Sequence, residues 1–118
     1  MATAQEIVEK FQAALGKKDF AEARKLLRDD LSFQGPLDKF DKADNYLEAV
    51  KRLASIIQRI DIKRIFVDGN DVCLLYDMVT NTPAGTAFIA EWYQVKGNKI
   101  SSLRVVFDAR PFAALFGR

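Results

Sequence analysis

Residues 93–108 read Tyr93-Gln94-Val95-Lys96-Gly97-Asn98-Lys99-Ile100-Ser101-Ser102-Leu103-Arg104-Val105-Val106-Phe107-Asp108. Gly97 and Asn98 tolerate the left-handed backbone of a two-residue hairpin turn, and β-branched or aromatic residues dominate on either side. The stretch therefore reads as a β-hairpin. A two-residue turn sets Lys96 opposite Lys99, Trp92 opposite Leu103, Glu91 opposite Arg104, Phe88 opposite Phe107 and Ala87 opposite Asp108. Upstream, Val72 to Asn81 and Thr86 to Val95 flank a Thr82-Pro83-Ala84-Gly85 turn, and Ile60 to Val67 lead into Asp68-Gly69-Asn70. These segments predict successive antiparallel strands.

The half before residue 60 has a different period. Thr3 and Glu6 have capping-box spacing, and Ile7, Val8, Phe11, Ala14 and Leu15 follow at helical steps up to Gly16. Asp19 and Glu22 repeat the signal ahead of Phe20, Ala23, Leu26 and Leu27. Leu31 to Gln34 alternates as a short strand and stops at Gly35-Pro36, after which comes a polar loop. Tyr46, Leu47, Val50, Leu53, Ala54 and Ile57 then mark a third helix within residues 43–57. Pro111 to Phe116 form a short apolar tail. Helices first and a meander afterwards predict an α+β domain with helices packed on one face of a curved antiparallel sheet.

At 118 residues the chain is one domain, residues 1–118, and 49% hydrophobic with 29% charged residues is ordinary globular composition. Lys and Arg total 18 against 16 Asp and Glu, a net charge of +2 that points to neither nucleic acid nor membrane. With no histidine and one cysteine, Cys73, intrachain disulfides and the usual zinc sites are excluded, and no metal or cofactor is expected. Acid–base chemistry then falls to carboxylates or tyrosines. No apolar run is long enough for a signal peptide or a membrane span, and a cytoplasmic setting is expected.

Strand alternation turns the register into faces. A three-residue Pro83-Ala84-Gly85 loop would set Asp77 opposite Glu91, so that one row reads Asp77, Glu91, Arg104. That face would also carry Leu75, Val79, Ala87, Ile89, Tyr93, Val106 and Asp108. The other would carry Leu74, Tyr76, Met78, Phe88, Ala90, Trp92, Leu103, Val105 and Phe107, too apolar to leave in water. Three short helices cover only one face, so the second is a candidate homodimer surface. Paired carboxylates in a partly dry setting raise one pKa unless an arginine neutralises them, which makes Asp77, Glu91 and Asp108 candidates for acid–base work. The structural alternatives are a cross-strand ion-pair ladder for Asp77, Glu91 and Arg104, and local pairing of Asp108 with Arg110.

The run of three helices and a meander ending in Gly97-Asn98-Lys99-Ile100 through Phe107-Asp108-Ala109-Arg110-Pro111-Phe112 resembles the nuclear transport factor 2-like superfamily, and within it SnoaL-like proteins. The last hairpin, Tyr93 to Asp108, is similar to that of limonene epoxide hydrolase-like proteins, including an Asp just after an aromatic residue. The resemblance implies a cone-shaped curved sheet and three N-terminal helices enclosing a deep apolar pocket, commonly in a homodimer formed through the sheet. It also implies that Asp108 faces the pocket and moves a proton. Asp77 matches an Asp of the epoxide hydrolases, but Leu75 stands where they have Arg, and Phe33 and Gly35 stand where they hold water with Tyr and Asn. The arrangement of the ketosteroid isomerases finds no match. The expected site has Asp108 and Asp77 as catalytic carboxylates, in a pocket lined by Phe33, Tyr46, Leu75, Glu91, Tyr93, Arg104 and Val106. Its ligand would be a small hydrophobic molecule, and its chemistry that of an isomerase, cyclase or hydrolase. The alternative is a noncatalytic homodimeric module for ligands or proteins.

Overall fold

The computed structural model describes residues 2–114. Helix α1 (Ala4–Gly16) starts at the expected capping box: Thr3 Oγ1 accepts from the Glu6 amide and Glu6 Oε1 accepts from the Thr3 amide. Its apolar stripe, Ile7, Val8, Phe11 and Ala14, is buried. Helix α2 (Phe20–Lys25) is capped by Asp19, whose carboxylate accepts from the Glu22 amide. Strands β1 (Leu27–Gln34) and β2 (Lys39–Phe40) follow, then helix α3 (Ala43–Ala54). The rest is β3 (Ile57–Asp68), β4 (Asp71–Thr80), β5 (Thr86–Lys96), β6 (Lys99–Val106) and a short helix α4 (Arg110–Ala113). The end of the apolar tail, Leu115 and Phe116, lies outside the described residues.

One curved, open sheet of six strands in the order β2-β1-β6-β5-β4-β3 carries the domain, so the fold is α+β. Two features depart from a pure meander. Strand β1 pairs with β6 in parallel, Leu27 opposite Ile100 and Phe33 opposite Leu103. The supposed polar loop contains β2, which pairs with the end of β1 through Phe33 and Phe40. Strand β1 also starts earlier than its alternation indicates. Ala23 of α2 and Leu27 and Leu31 of β1 are all fully buried, and their four-residue spacing imitates one continuous helix across the α2–β1 boundary. Likewise Ile57 opens β3 and does not close α3.

Register corrects the expected faces. The Gly97-Asn98 turn forms with both residues at positive φ, 60° and 64°, and Lys96 opposes Lys99 as expected. A bulge then intervenes: Val95 faces Ile100 but Gln94 faces Ser102, leaving Ser101 over, and its hydroxyl donates to the Gln94 carbonyl at 3.1 Å. Beyond it Trp92 opposes Arg104, and Glu91 opposes Val105. The β4–β5 loop is longer than expected, because Thr80 pairs with Gly85 and the Asn81 amide donates to the Ile56 carbonyl. Asp77 therefore faces Phe88, and Glu91 faces Leu74. Both shifts are odd, and an odd shift exchanges faces.

The buried, helix-covered face consequently carries Leu74, Tyr76, Met78, Ala87, Ile89, Glu91, Tyr93 and Leu103. The opposite face carries Leu75, Asp77, Phe88, Trp92, Arg104 and Val106. The hydrophobic effect explains the bulge: it turns Leu103 inward to full burial and sends Arg104 to water. Leu103→Ala should cost roughly 2–5 kcal/mol in urea denaturation and Arg104→Ala less than about 0.5 kcal/mol, whereas the unbulged register reverses the order.

Candidate functional site

The carboxyl group of Glu91 sits on the concave face of β5 with 6% of the residue exposed, the one buried acid among the described residues. Its ligands come from three elements. From α1, Gln12 Nε2 donates to Oε1 at 3.1 Å; from β5 itself, the Tyr93 hydroxyl donates to the same oxygen; from β4, the Tyr76 hydroxyl donates to Oε2 at 3.2 Å. Gln12 also donates to the Tyr93 oxygen, which closes a triangle. Strand alternation puts Glu91 and Tyr93 two residues apart on one face, and Phe11 holds the Tyr93 ring edge-on at 6.1 Å between centroids.

Burial dominates the electrostatics. Removal from water pushes the Glu91 carboxyl up to about 7, with the hydrogen bonds from Tyr93, Tyr76 and Gln12 pulling the other way. Burial and the neighbouring carboxylate push Tyr46, Tyr76 and Tyr93 well above the usual phenol range, so all three keep their protons. Tyr46, on α3, is 5% exposed and packs its ring on Phe33 at 4.8 Å.

Two cavities adjoin this cluster. The larger, about 790 Å³, runs between α1, α3 and the edge of the sheet, past Val8, Leu15, Val50, Ile65 and Leu74. The smaller, about 140 Å³, lies beneath the β1–β2 turn and α4, against Phe33, Leu37, Ile89, Phe107 and Phe112. Tyr46, Tyr76 and Glu91 line both. A concave apolar space with a few convergent polar groups is the usual form of a small-molecule site.

Of the residues expected at a site, Phe33, Tyr46, Glu91 and Tyr93 come together here. The others do not. Leu75, Arg104 and Val106 stand on the opposite face, Val106 with 69% exposure. Asp77 is also there, 3.6 Å from Lys63 Nζ. Asp108 is exposed rather than turned into a cavity. Arg110 grips its carboxylate through Nε at 2.9 Å and Nη2 at 2.7 Å and adds its backbone amide, which together hold the group down at about 2. The local alternative, pairing with Arg110, describes Asp108, and the ladder of Asp77, Glu91 and Arg104 does not form. Gln12 escaped sequence reading, although a polar residue next to Phe11 and four positions after Val8, on the apolar stripe of α1, was the available signal. Tyr76 was read only as core. Among the described residues no three metal-ligating side chains converge.

A sequence profile described as the SnoaL-like domain matches residues 8–103. The chain belongs to the SnoaL-like family. No curated protein matches it in sequence. Among solved structures, this SnoaL-like chain is similar to an NTF2-like protein of unknown function from Cytophaga hutchinsonii, with 29% identity over 95% of this chain and 96% of the other and a TM-score of 0.83. An LEH-like epoxide hydrolase from M. tuberculosis has a TM-score of 0.78 at 20% identity, covering 98% of this chain and 96% of its own. A protein from Kribbella flavida assigned as a ketosteroid isomerase has a TM-score of 0.76 at 12% identity, over 89% and 77%. The last two likenesses are of fold.

The raised Glu91 pKa has a thermodynamic consequence. An exposed glutamate releases its proton near 4.5, whereas the folded chain keeps the Glu91 proton up to about 7. Between those values the folded state binds more protons than the unfolded one, so stability falls as pH rises through the interval, by on the order of 3 kcal/mol. Urea denaturation at pH 5 and pH 8 should show this decline in the wild-type protein and not in Glu91→Gln.

Proposed function

We propose that this SnoaL-like protein binds a small hydrophobic molecule bearing an oxygen function, and that Glu91 is the acid–base group acting on it. The observation that supports this reading is a buried carboxyl group, held by two tyrosine hydroxyls and a glutamine, on the wall of a largely apolar cavity. Oε1 of Glu91 already accepts two hydrogen bonds and Oε2 only one, so Oε2 has room to take or give a proton. Near neutral pH both forms of the carboxyl are populated, which suits proton transfer in either direction. Tyr46, protonated and on the same cavity wall, is placed to donate to a carbonyl oxygen on which charge develops as Oε2 removes a neighbouring proton. Substitution of this constellation for Asp108 and Asp77 keeps the isomerase, cyclase or hydrolase class of chemistry while moving its centre to β5.

The test is exchange of α-protons in D2O, followed by NMR, on a panel of aliphatic and cyclic ketones. Wild-type protein is expected to accelerate exchange with a rate that rises through pH 7 as Glu91 ionises. Glu91→Gln should lose roughly 10²–10⁴ of that acceleration, and Asp108→Asn should keep it. If no ketone exchanges faster with protein than without, the catalytic reading fails and binding alone is left.

A second reading, a homodimer joined through the sheet, is supported by the uncovered face. Phe66, Phe88, Trp92 and Val106 are all exposed there, Phe88 by 59%. Sedimentation at micromolar concentration should give a dimer mass for the wild-type chain and a monomer for Phe88→Glu with unchanged circular dichroism. A monomeric wild-type chain would remove this reading.

A further inference from the structure

Gln12 stands one helical turn beyond Val8 and beside Phe11, both fully buried, where α1 would otherwise continue its apolar stripe. Its side chain crosses to the sheet and makes two contacts through one atom: Nε2 donates to Glu91 Oε1 at 3.1 Å and also to the Tyr93 oxygen. Turned over, the amide would set its carbonyl oxygen against the ionised carboxylate, acceptor against acceptor, so charge fixes the orientation. A lysine in this place would hold Glu91 ionised, and a second acid would repel it. An amide supplies direction without charge.

The contact with Tyr93 has the larger consequence. A phenol oxygen carries one proton, and a donor seated on that oxygen turns the proton away from itself. Here the proton turns to Glu91 Oε1, which accepts from the Tyr93 hydroxyl. Two donors therefore converge on Oε1, whereas Oε2 accepts from Tyr76. An acid proton on Oε1 would confront both donors, so it belongs on Oε2. Without Gln12, the Tyr93 hydroxyl could swing round and accept a proton from Oε1, and the carboxyl would gain a second protonated form with its proton held inside the cluster.

We infer that Gln12 is a positioning residue: by holding the Tyr93 hydroxyl in its donating orientation, it confines the exchangeable proton of Glu91 to Oε2. The inference rests on the reading of Glu91 as the acid–base group and assigns which of its oxygens trades a proton with the ligand. The ionisable groups packed around the carboxyl are phenols, Tyr46 from α3, Tyr76 from β4 and Tyr93 from β5, and all three keep their protons. The charged side chains on the same cavity wall, Glu9 of α1, Lys18 and Arg59 of β3, are exposed to water, which screens them.

Gln12→Met keeps the length and helix propensity of the side chain and removes its donor. Titration of the Glu91 carboxyl carbon by NMR should place its pKa about one pH unit higher in Gln12→Met than in the wild-type chain, since a bond to the charged form is lost and a second protonated form is gained. In a Tyr93→Phe background no hydroxyl can accept the proton, and the same substitution should raise the pKa by at most about half as much. Gln12→Leu repeats both comparisons should the methionine variant fail to fold. A shift of equal size in the two backgrounds, or no shift in either, would overturn the inference. In the ketone assay, the pH at which exchange reaches half its maximum should rise in Gln12→Met along with the carboxyl pKa, and an unmoved profile beside a moved pKa would also count against it. The titration needs no substrate, so its failure is separate from that of the acid–base reading, which falls when the wild-type chain exchanges no ketone and takes the functional role of Gln12 with it.

Discussion

Burying the Glu91 carboxyl is the constraint around which the interior is arranged. A carboxylate taken out of water is costly unless hydrogen bonds replace its hydration. Here Gln12, Tyr76 and Tyr93 supply those bonds from a helix and two strands. Any change in the packing of α1 on the sheet would break at least one of them. The same groups that make the carboxyl tolerable also aim it, since Tyr76 and Tyr93 hold its two oxygens in separate directions.

The cluster explains why helix α1 must dock as it does. Phe11 packs edge-on against Tyr93 while Gln12, next in the chain, reaches both Tyr93 and Glu91. An apolar anchor and a polar contact from adjacent residues fix the helix in rotation and in translation. Hydrophobic burial alone tolerates sliding, and directional hydrogen bonds do not.

Much of the architecture was legible in local patterns. Thr3 with Glu6, Asp19 with Glu22, and Gly97 with Asn98 each act within a few residues, and each forms in the structure as its spacing implies. Phase across the sheet was not legible. One surplus residue, Ser101, and a β4–β5 loop longer than its Pro83-Ala84-Gly85 core move Arg104 and Asp77 to the outer face. Neither carries a distinctive residue type, because what selects them is the burial of Leu103, Leu74 and Met78 against helices distant in sequence. The site suffered for the same reason: Phe33, Tyr46, Glu91 and Tyr93 were named, but Asp108 was drawn inward by resemblance while Arg110, two residues away, holds it outside. The pairing of β1 with β6 was equally hidden, since nothing in Leu27–Gln34 indicates a partner some seventy residues later.

That parallel pairing bears on how the chain acquires its shape. Strand β6 follows every other strand in the sequence yet lies inside the sheet, between β1 and β5. During synthesis β3, β4 and β5 can pair in order as they emerge, but β1 and β2 must wait as a two-stranded remnant until the segment through Val106 is available. The joining of the two parts closes a long loop, which is an entropically slow step. Until it happens, both β1 and β5 present open edges able to accept a strand from another molecule. The residues that end this exposure are Leu103 and Ile100, so the hairpin that orders the interior also acts as the clasp of the whole sheet.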